Sequence, residues 1–144
     1  MKIYCLEDFK VEFEKLASKK PYKTLEQETI SYFFGKTIQQ LSSGRRLNNS
    51  QTHPYIKKRI MGRGGFRFYF LLILKDENLY LMFVHPKTGP NGAENITDES
   101  KAYLYKKILD CIEQKDLFFV GLDDAQTKIT FTRIEKEIKN PGEY

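Results

Sequence analysis

No acidic residue occurs between Glu28 and Asp76, a stretch that carries Lys36, Arg45, Arg46, Lys57, Lys58, Arg59, Arg63, Arg67 and Lys75. The whole chain has a formal net charge of only +5, so the residues outside this window are net acidic. A one-signed field of this kind favours a polyanion such as nucleic acid as partner. The chain also lacks any apolar run approaching the ~20 residues needed to span a bilayer, and its start, MKIYCLEDFK, carries acids where a signal peptide carries an apolar core. Both absences predict a cytoplasmic protein with no membrane partner. Cysteine and histidine are scarce as well: Cys5, Cys111, His53 and His85 are scattered with no paired ligand spacing. That pattern argues against a disulfide framework, a zinc site and a Cys-His or Ser-His-Asp hydrolase. No metal and no cofactor are expected. Gly62-Arg63-Gly64-Gly65 lacks the spacing of a dinucleotide or phosphate loop, and a strand pattern follows it where such a loop needs a helix.

What is present suits one folded unit. At 144 residues, 40% hydrophobic and 14% aromatic, the chain has material for a single core, read as one domain over 1–144. Met1 to Leu6 reads as a strand, and Phe9, Phe13 and Leu16 recur at helical spacing after it. A second helix is predicted from Thr24, where Thr-Leu-Glu-Gln has capping-box spacing, with Ile30, Phe34, Ile38 and Leu41 as its stripe and Gly44 as its stop. Ser42 to Pro54 is polar and reads as a loop. Three strands follow as an antiparallel meander: Tyr55 to Met61, Phe66 to Leu74, and Leu79 to His85 after a turn at Asp76-Glu77-Asn78. A third helix starts around Thr97 to Glu99 and runs through Leu104, Ile108 and Ile112. Leu117 to Val120 and Lys128 to Arg133 predict a terminal strand or hairpin, with a short helical or frayed tail to Tyr144. The fold class is α+β.

The period-2 rule divides the charges of the meander by face. Tyr55, Lys57, Arg59 and Met61 share one face of their strand, and Ile56, Lys58 and Ile60 the other. Arg67 and Tyr69 share a face of the next strand; Phe83, His85 and Lys87 share one of the third if that strand stays regular. Where these faces converge, Lys57, Arg59, Arg67, His85 and Lys87 form a constellation suited to RNA cleavage. That chemistry needs a base for the ribose 2′-hydroxyl, cations for the phosphorane charge and an acid for the departing 5′ oxygen. Lys58, Arg63, Tyr69, Arg45 and Arg46 are assigned to substrate binding, with Tyr69 and Phe83 as surfaces on which unpaired bases could stack. Gly64 and Gly65 read as the corner that lets the chain turn between strands.

The order of these segments resembles the RelE/ParE superfamily of toxins from bacterial type II toxin–antitoxin systems, its RelE- and HigB-like branch above all. The residues that carry the resemblance are Lys57-Lys58-Arg59, Gly62-Arg63-Gly64-Gly65-Phe66-Arg67, Val84-His85-Pro86-Lys87 and Asn95-Ile96-Thr97. It covers Met1 to about Gln114, leaving 115–144 as a C-terminal extension that could cover the site, extend the sheet or form a dimer contact. The resemblance implies a compact RelE-like fold, a metal-independent mRNA endoribonuclease acting at the ribosome, and a cognate antitoxin protein as partner; self-association is left open. It implies Lys57 or His85 as general base, Arg67 in phosphate stabilisation, and Arg59 and Lys87 in substrate binding or leaving-group support. The alternatives are a ParE-type gyrase poison and a non-catalytic nucleic-acid-binding module.

Overall fold

In a computed structural model of the chain, residues 1–60, 65–87 and 96–134 are described. Among these, seven strands form one mixed sheet, in the order β2-β3-β4-β5-β1-β6-β7, with β2 (Arg45–Arg46) at one edge. The meander supplies its middle: β3 (Tyr55–Ile60), β4 (Phe66–Ile73) and β5 (Asn78–Pro86) pair antiparallel. β1 (Lys2–Cys5) lies parallel to β5, and the hairpin β6 (Phe118–Leu122) and β7 (Ile129–Arg133) continues the sheet from β1. The described part of the C-terminal extension therefore widens the sheet on the edge remote from β3. The expected helical tail lies outside the described residues.

Two layers of helix cover the sheet. On one face, α1 (Glu7–Ala17) and α2 (Leu25–Phe33) bury Phe9, Phe13, Leu16, Leu25 and Phe33 against Ile56, Phe68, Phe70 and Leu81. The ring of Phe33 sits edge-on to Phe68 and Phe70, with centroids 5.1 and 5.3 Å away. On the other face, α4 (Asp98–Gln114) lays Leu104 and Ile108 over Tyr55, Tyr69, Leu71, Ile73, Tyr80 and Met82. β4 is thus buried from both sides, which explains why its sequence, FRFYFLLI, is apolar nearly throughout rather than alternating. Among the described residues no helix is long and apolar enough to cross a membrane.

The segment predicted as one helix from Thr24 to Leu41 is two. α2 ends at Phe33, and a single turn, α3 (Ile38–Leu41), follows after Gly35. Thr24 has helical dihedrals and makes no capping bond; the capping box is at Thr37, which accepts from the Gln40 N–H at 3.3 Å while Gln40 accepts from the Thr37 N–H at 2.9 Å. The core stripe of α2 is Leu25, Thr29 and Phe33, not Ile30 and Phe34. Thr29 can face the core because its hydroxyl donates to the Leu25 carbonyl at 2.7 Å, leaving no unpaired polar group. The expected loop from Ser42 to Pro54 also contains a short strand, β2 (Arg45–Arg46), paired antiparallel to β3.

β2 reaches β3 because Gly44 has no side chain. A Cβ there would lie 2.4 Å from Ile56 Cγ2 and 3.0 Å from the Lys57 carbonyl oxygen. Ile56 is fully buried and has no room to withdraw. Gly44→Ala is expected to lower stability by about 1–3 kcal/mol, the range for forcing an extra methyl into a filled site. Urea unfolding followed by circular dichroism measures it; an unchanged midpoint would show that the approach is not tight.

Candidate functional site: a cationic array on the sheet face beside α4

The register of the meander sets two rows of side chains on the α4 face. In the first row Arg45, Lys57, Tyr69 and Phe83 stand opposite one another across β2, β3, β4 and β5. In the second, Arg59, Arg67 and His85 do so across β3, β4 and β5. Strands ~4.8 Å apart hold such neighbours within contact of a single phosphate group. Lys57 and Arg67 are half-buried and Arg59 is exposed. α4 covers the Tyr55, Leu71 and Tyr80 end of this face, so the basic end lies beyond the helix.

His85 joins the array only because β5 is irregular. The pairing of β4 with β5 shifts by one residue between Tyr69 and Phe70, so that Met82 and Phe83 together occupy the place of one residue. Leu79 and Leu81 face α1 and α2, and beyond the shift it is Val84 that does so. In an unbroken ladder Arg67 would oppose Val84, and His85 would turn toward the α1 and α2 core. A β-bulge re-aims side chains in this way, and bulges gather beside active sites.

His85 is held by both ring nitrogens. Nδ1 lies 3.1 Å from the Pro86 carbonyl oxygen, which can only accept, so Nδ1 carries the proton. In the neutral ring Nε2 is then the acceptor, and the Tyr69 hydroxyl donates to it at 3.1 Å. The Tyr69 oxygen in turn accepts from the Ile96 backbone N–H. Burial is the main cause that lowers the His85 pKa, with the charges of Arg67 and Lys57 acting in the same direction and the Pro86 bond opposing them. Burial likewise raises the Tyr69 pKa, so its hydroxyl keeps the proton it donates. The result is a neutral, fully paired relay, Ile96 to Tyr69 to His85 to Pro86.

Two assignments change accordingly. Tyr69 is fully buried and offers no ring surface to a base; its role is to hold His85. His85 is 5% exposed with both nitrogens engaged, which leaves no nitrogen directed at a ribose hydroxyl. The other base expected from the sequence, Lys57, is half-buried in the first row. Phe83 is half-buried and borders a small hollow with Ile96, Ser100 and Tyr103, so it keeps its place as a stacking candidate.

The remaining residues divide as follows. Lys87 is half-buried at the strand end and tied to the corner, its N–H donating to the Gly65 carbonyl at 3.0 Å. Gly65 has φ +66°, a left-handed conformation that glycine adopts without strain. Arg59 passes beside Gly65, with Nε 3.4 Å from where a Cβ would stand. Lys58 is on the opposite face, in a hollow with Glu28, Tyr32 and Lys36 that Arg59 also reaches from the sheet edge. Arg45 joins the array, whereas Arg46 opposes Ile56 and lies beside it. Arg63 and Asn95 lie outside the described residues.

Some contributors were not visible in the sequence. The Pro86 carbonyl and the Ile96 N–H are backbone groups with no side-chain signature. Tyr69 and His85 are diagonal neighbours across β4 and β5, a relation readable only with the shifted register. No protein-family model matches the chain, and no curated protein matches it.

A depressed histidine pKa is also a statement about stability. His85 has an ordinary value of 6.5 when unfolded and a lower one when folded, so below about 6.5 the unfolded chain binds a proton that the folded one does not. Its contribution is present above that pH and is lost as pH falls toward the folded value. Wild type is therefore expected to lose more melting temperature between pH 7 and pH 5 than His85→Gln. Tyr69→Phe, which leaves Nε2 buried without its donor, should lose about 1–3 kcal/mol at pH 7. Parallel pH profiles for wild type and His85→Gln would show that His85 is not held neutral.

Proposed function

We propose that the chain is an endoribonuclease toxin of the RelE/ParE superfamily, RelE-like in fold, which cuts mRNA at the ribosome and is neutralised by an antitoxin protein. The observation that carries this reading is the gathering of Lys57, Arg59 and Arg67 on one sheet face, with Arg45 and His85 at its two sides. The reaction it suits is transesterification. A base removes the 2′-hydroxyl proton, the 2′ oxygen bonds to phosphorus, and the bond to the 5′ oxygen breaks as that oxygen takes a proton. The products are a 2′,3′-cyclic phosphate and a 5′-hydroxyl. Lys57 serves as base, Arg67 holds the charge of the phosphorane, and Arg59 and Lys87 bind the strand and support the leaving oxygen. His85 acts as a positioning residue, and its relay through Tyr69 keeps the bulged end of β5 beside Arg67.

A second reading is favoured by the same relay. Because both nitrogens of His85 are engaged, the array could hold phosphates without cutting them. Such binding would weaken steeply with salt and leave the nucleic acid intact.

Induction of the chain in bacteria, with mRNA 5′ ends mapped, separates these readings. Growth arrest with new 5′ ends is expected, and Arg67→Ala should lower cleavage by about 10²- to 10³-fold, the usual cost of removing one donor to a developing oxyanion. New ends that persist undiminished in an Arg67→Ala, Lys87→Ala double variant would overturn the site. Intact mRNA with DNA damage would point to gyrase, and intact mRNA with salt-sensitive binding to the non-catalytic module.

A further inference from the structure

A cavity of about 600 Å³ opens on the same sheet face, between the β2 segment and the first half of α4. That volume falls within the range of small-molecule sites. Arg45 belongs to both places: it lines the cavity, and it stands opposite Lys57 in the first row of the array. Cavity and array are therefore neighbours on a continuous surface. The cavity wall is basic, with Arg45, Arg46 and Lys101 against a single acid, Asp98, which Lys101 meets at 3.6 Å.

Its other wall is aromatic and rigid. Tyr55 stacks on Tyr105 with centroids 5.4 Å apart and planes 14° from parallel. Tyr55 is itself buried, and its hydroxyl donates to the Lys101 carbonyl at 3.1 Å, which ties the aromatic pair to α4. Tyr105 is half-buried, and its accessible part borders the cavity. The loop side is equally fixed. Asn48 uses its amide to donate to the His53 carbonyl at 2.9 Å and its oxygen to accept from the Tyr55 N–H at 3.0 Å. An aromatic surface flanked by cations that continue into a phosphate-binding array is the arrangement that grips unpaired nucleotides.

We propose that this cavity is a nucleotide subsite, taking the residue next to the scissile phosphate of single-stranded RNA. The base stacks on Tyr105, and its phosphate meets Arg45 and Lys101. This inference rests on the ribonuclease reading and adds to it the residue that senses the sequence beside the cut. Asn48 spends its amide and its oxygen on the backbone, and Tyr105 is the aromatic face that borders the cavity, so we assign discrimination to stacking. Purines, with the larger ring face, are preferred over pyrimidines.

The test uses ribosomes programmed with mRNA and the full chain, with cut sites mapped by primer extension. Tyr105→Leu keeps the apolar packing on Tyr55 and removes the stacking surface. It is expected to slow cleavage by about tenfold at purine-flanked sites and to flatten the purine preference, in line with the stacking contribution of one base. A second readout does not need cleavage: mRNA carrying 6-thioguanosine should crosslink to peptides containing Arg45 or Tyr105, located by mass spectrometry. If Tyr105→Leu cuts the same sites at the same rates, or the crosslinks lie elsewhere, the subsite is wrong while the cleavage reading stands. If wild type leaves programmed mRNA uncut, the reading fails and the subsite with it.

Discussion

Burial of β4 on both faces is the constraint from which the rest of the structure follows. α1 and α2 cover Phe66, Phe68, Phe70 and Leu72, and α4 covers Tyr69, Leu71 and Ile73. A strand so enclosed cannot slip, because a one-residue shift exchanges its two faces. Arg67 is its single charged residue and is only half-buried, near the start of the strand and before the residues that α4 packs against. That position fixes the basic end of the sheet, and the strands on either side bring Arg59 and His85 to it.

Faces were legible in the sequence because alternation is a local property. Lys57 and Arg59 share a face, with Lys58 on the other, as strand geometry requires, and the order of strands in the meander followed from their spacing. α4 was equally plain, since Thr97 caps it and acids fill its first turn. What could not be read depended on tertiary contact. The break between α2 and α3 turns on which residues meet the sheet, and β2 exists only because Gly44 lies against Ile56. The burial of Tyr69 comes from α4, which is distant in sequence.

The bulge in β5 is the sharpest instance. Counting by twos along a regular β5 would put His85 beside Val84's present neighbours, in the α1 and α2 core. The convergence of β4 and β5 residues was anticipated, but the device that achieves it was not. Met82 and Phe83 are both apolar, so nothing in their side chains marks an extra residue. The bulge is held in place by what it aims: His85 spends both nitrogens on Tyr69 and Pro86, and the Tyr69 oxygen spends a further bond on Ile96. A regular strand would leave the Tyr69 hydroxyl without that acceptor in a buried setting, which is costly.

The array itself runs against local stability. Arg59 stands directly opposite Arg67, and Arg45 directly opposite Lys57. Like charges paired across strands are destabilising, and no acid interrupts the sequence from which these residues come. Other surface cations do meet acids, as Lys10 does Glu14 and Lys128 does Glu26. Among the described residues, the like charges set opposite one another on β2, β3 and β4 are a local departure from consistency. Such departures gather at functional sites, where the missing stabilisation is supplied by the ligand. Phosphate groups laid along the two rows would relieve the repulsion between Arg59 and Arg67 and between Arg45 and Lys57 at once. The nucleic acid proposed as partner would carry anions repeated at the spacing of its backbone, and the rows of cations on β2, β3 and β4 would give it several points of attachment.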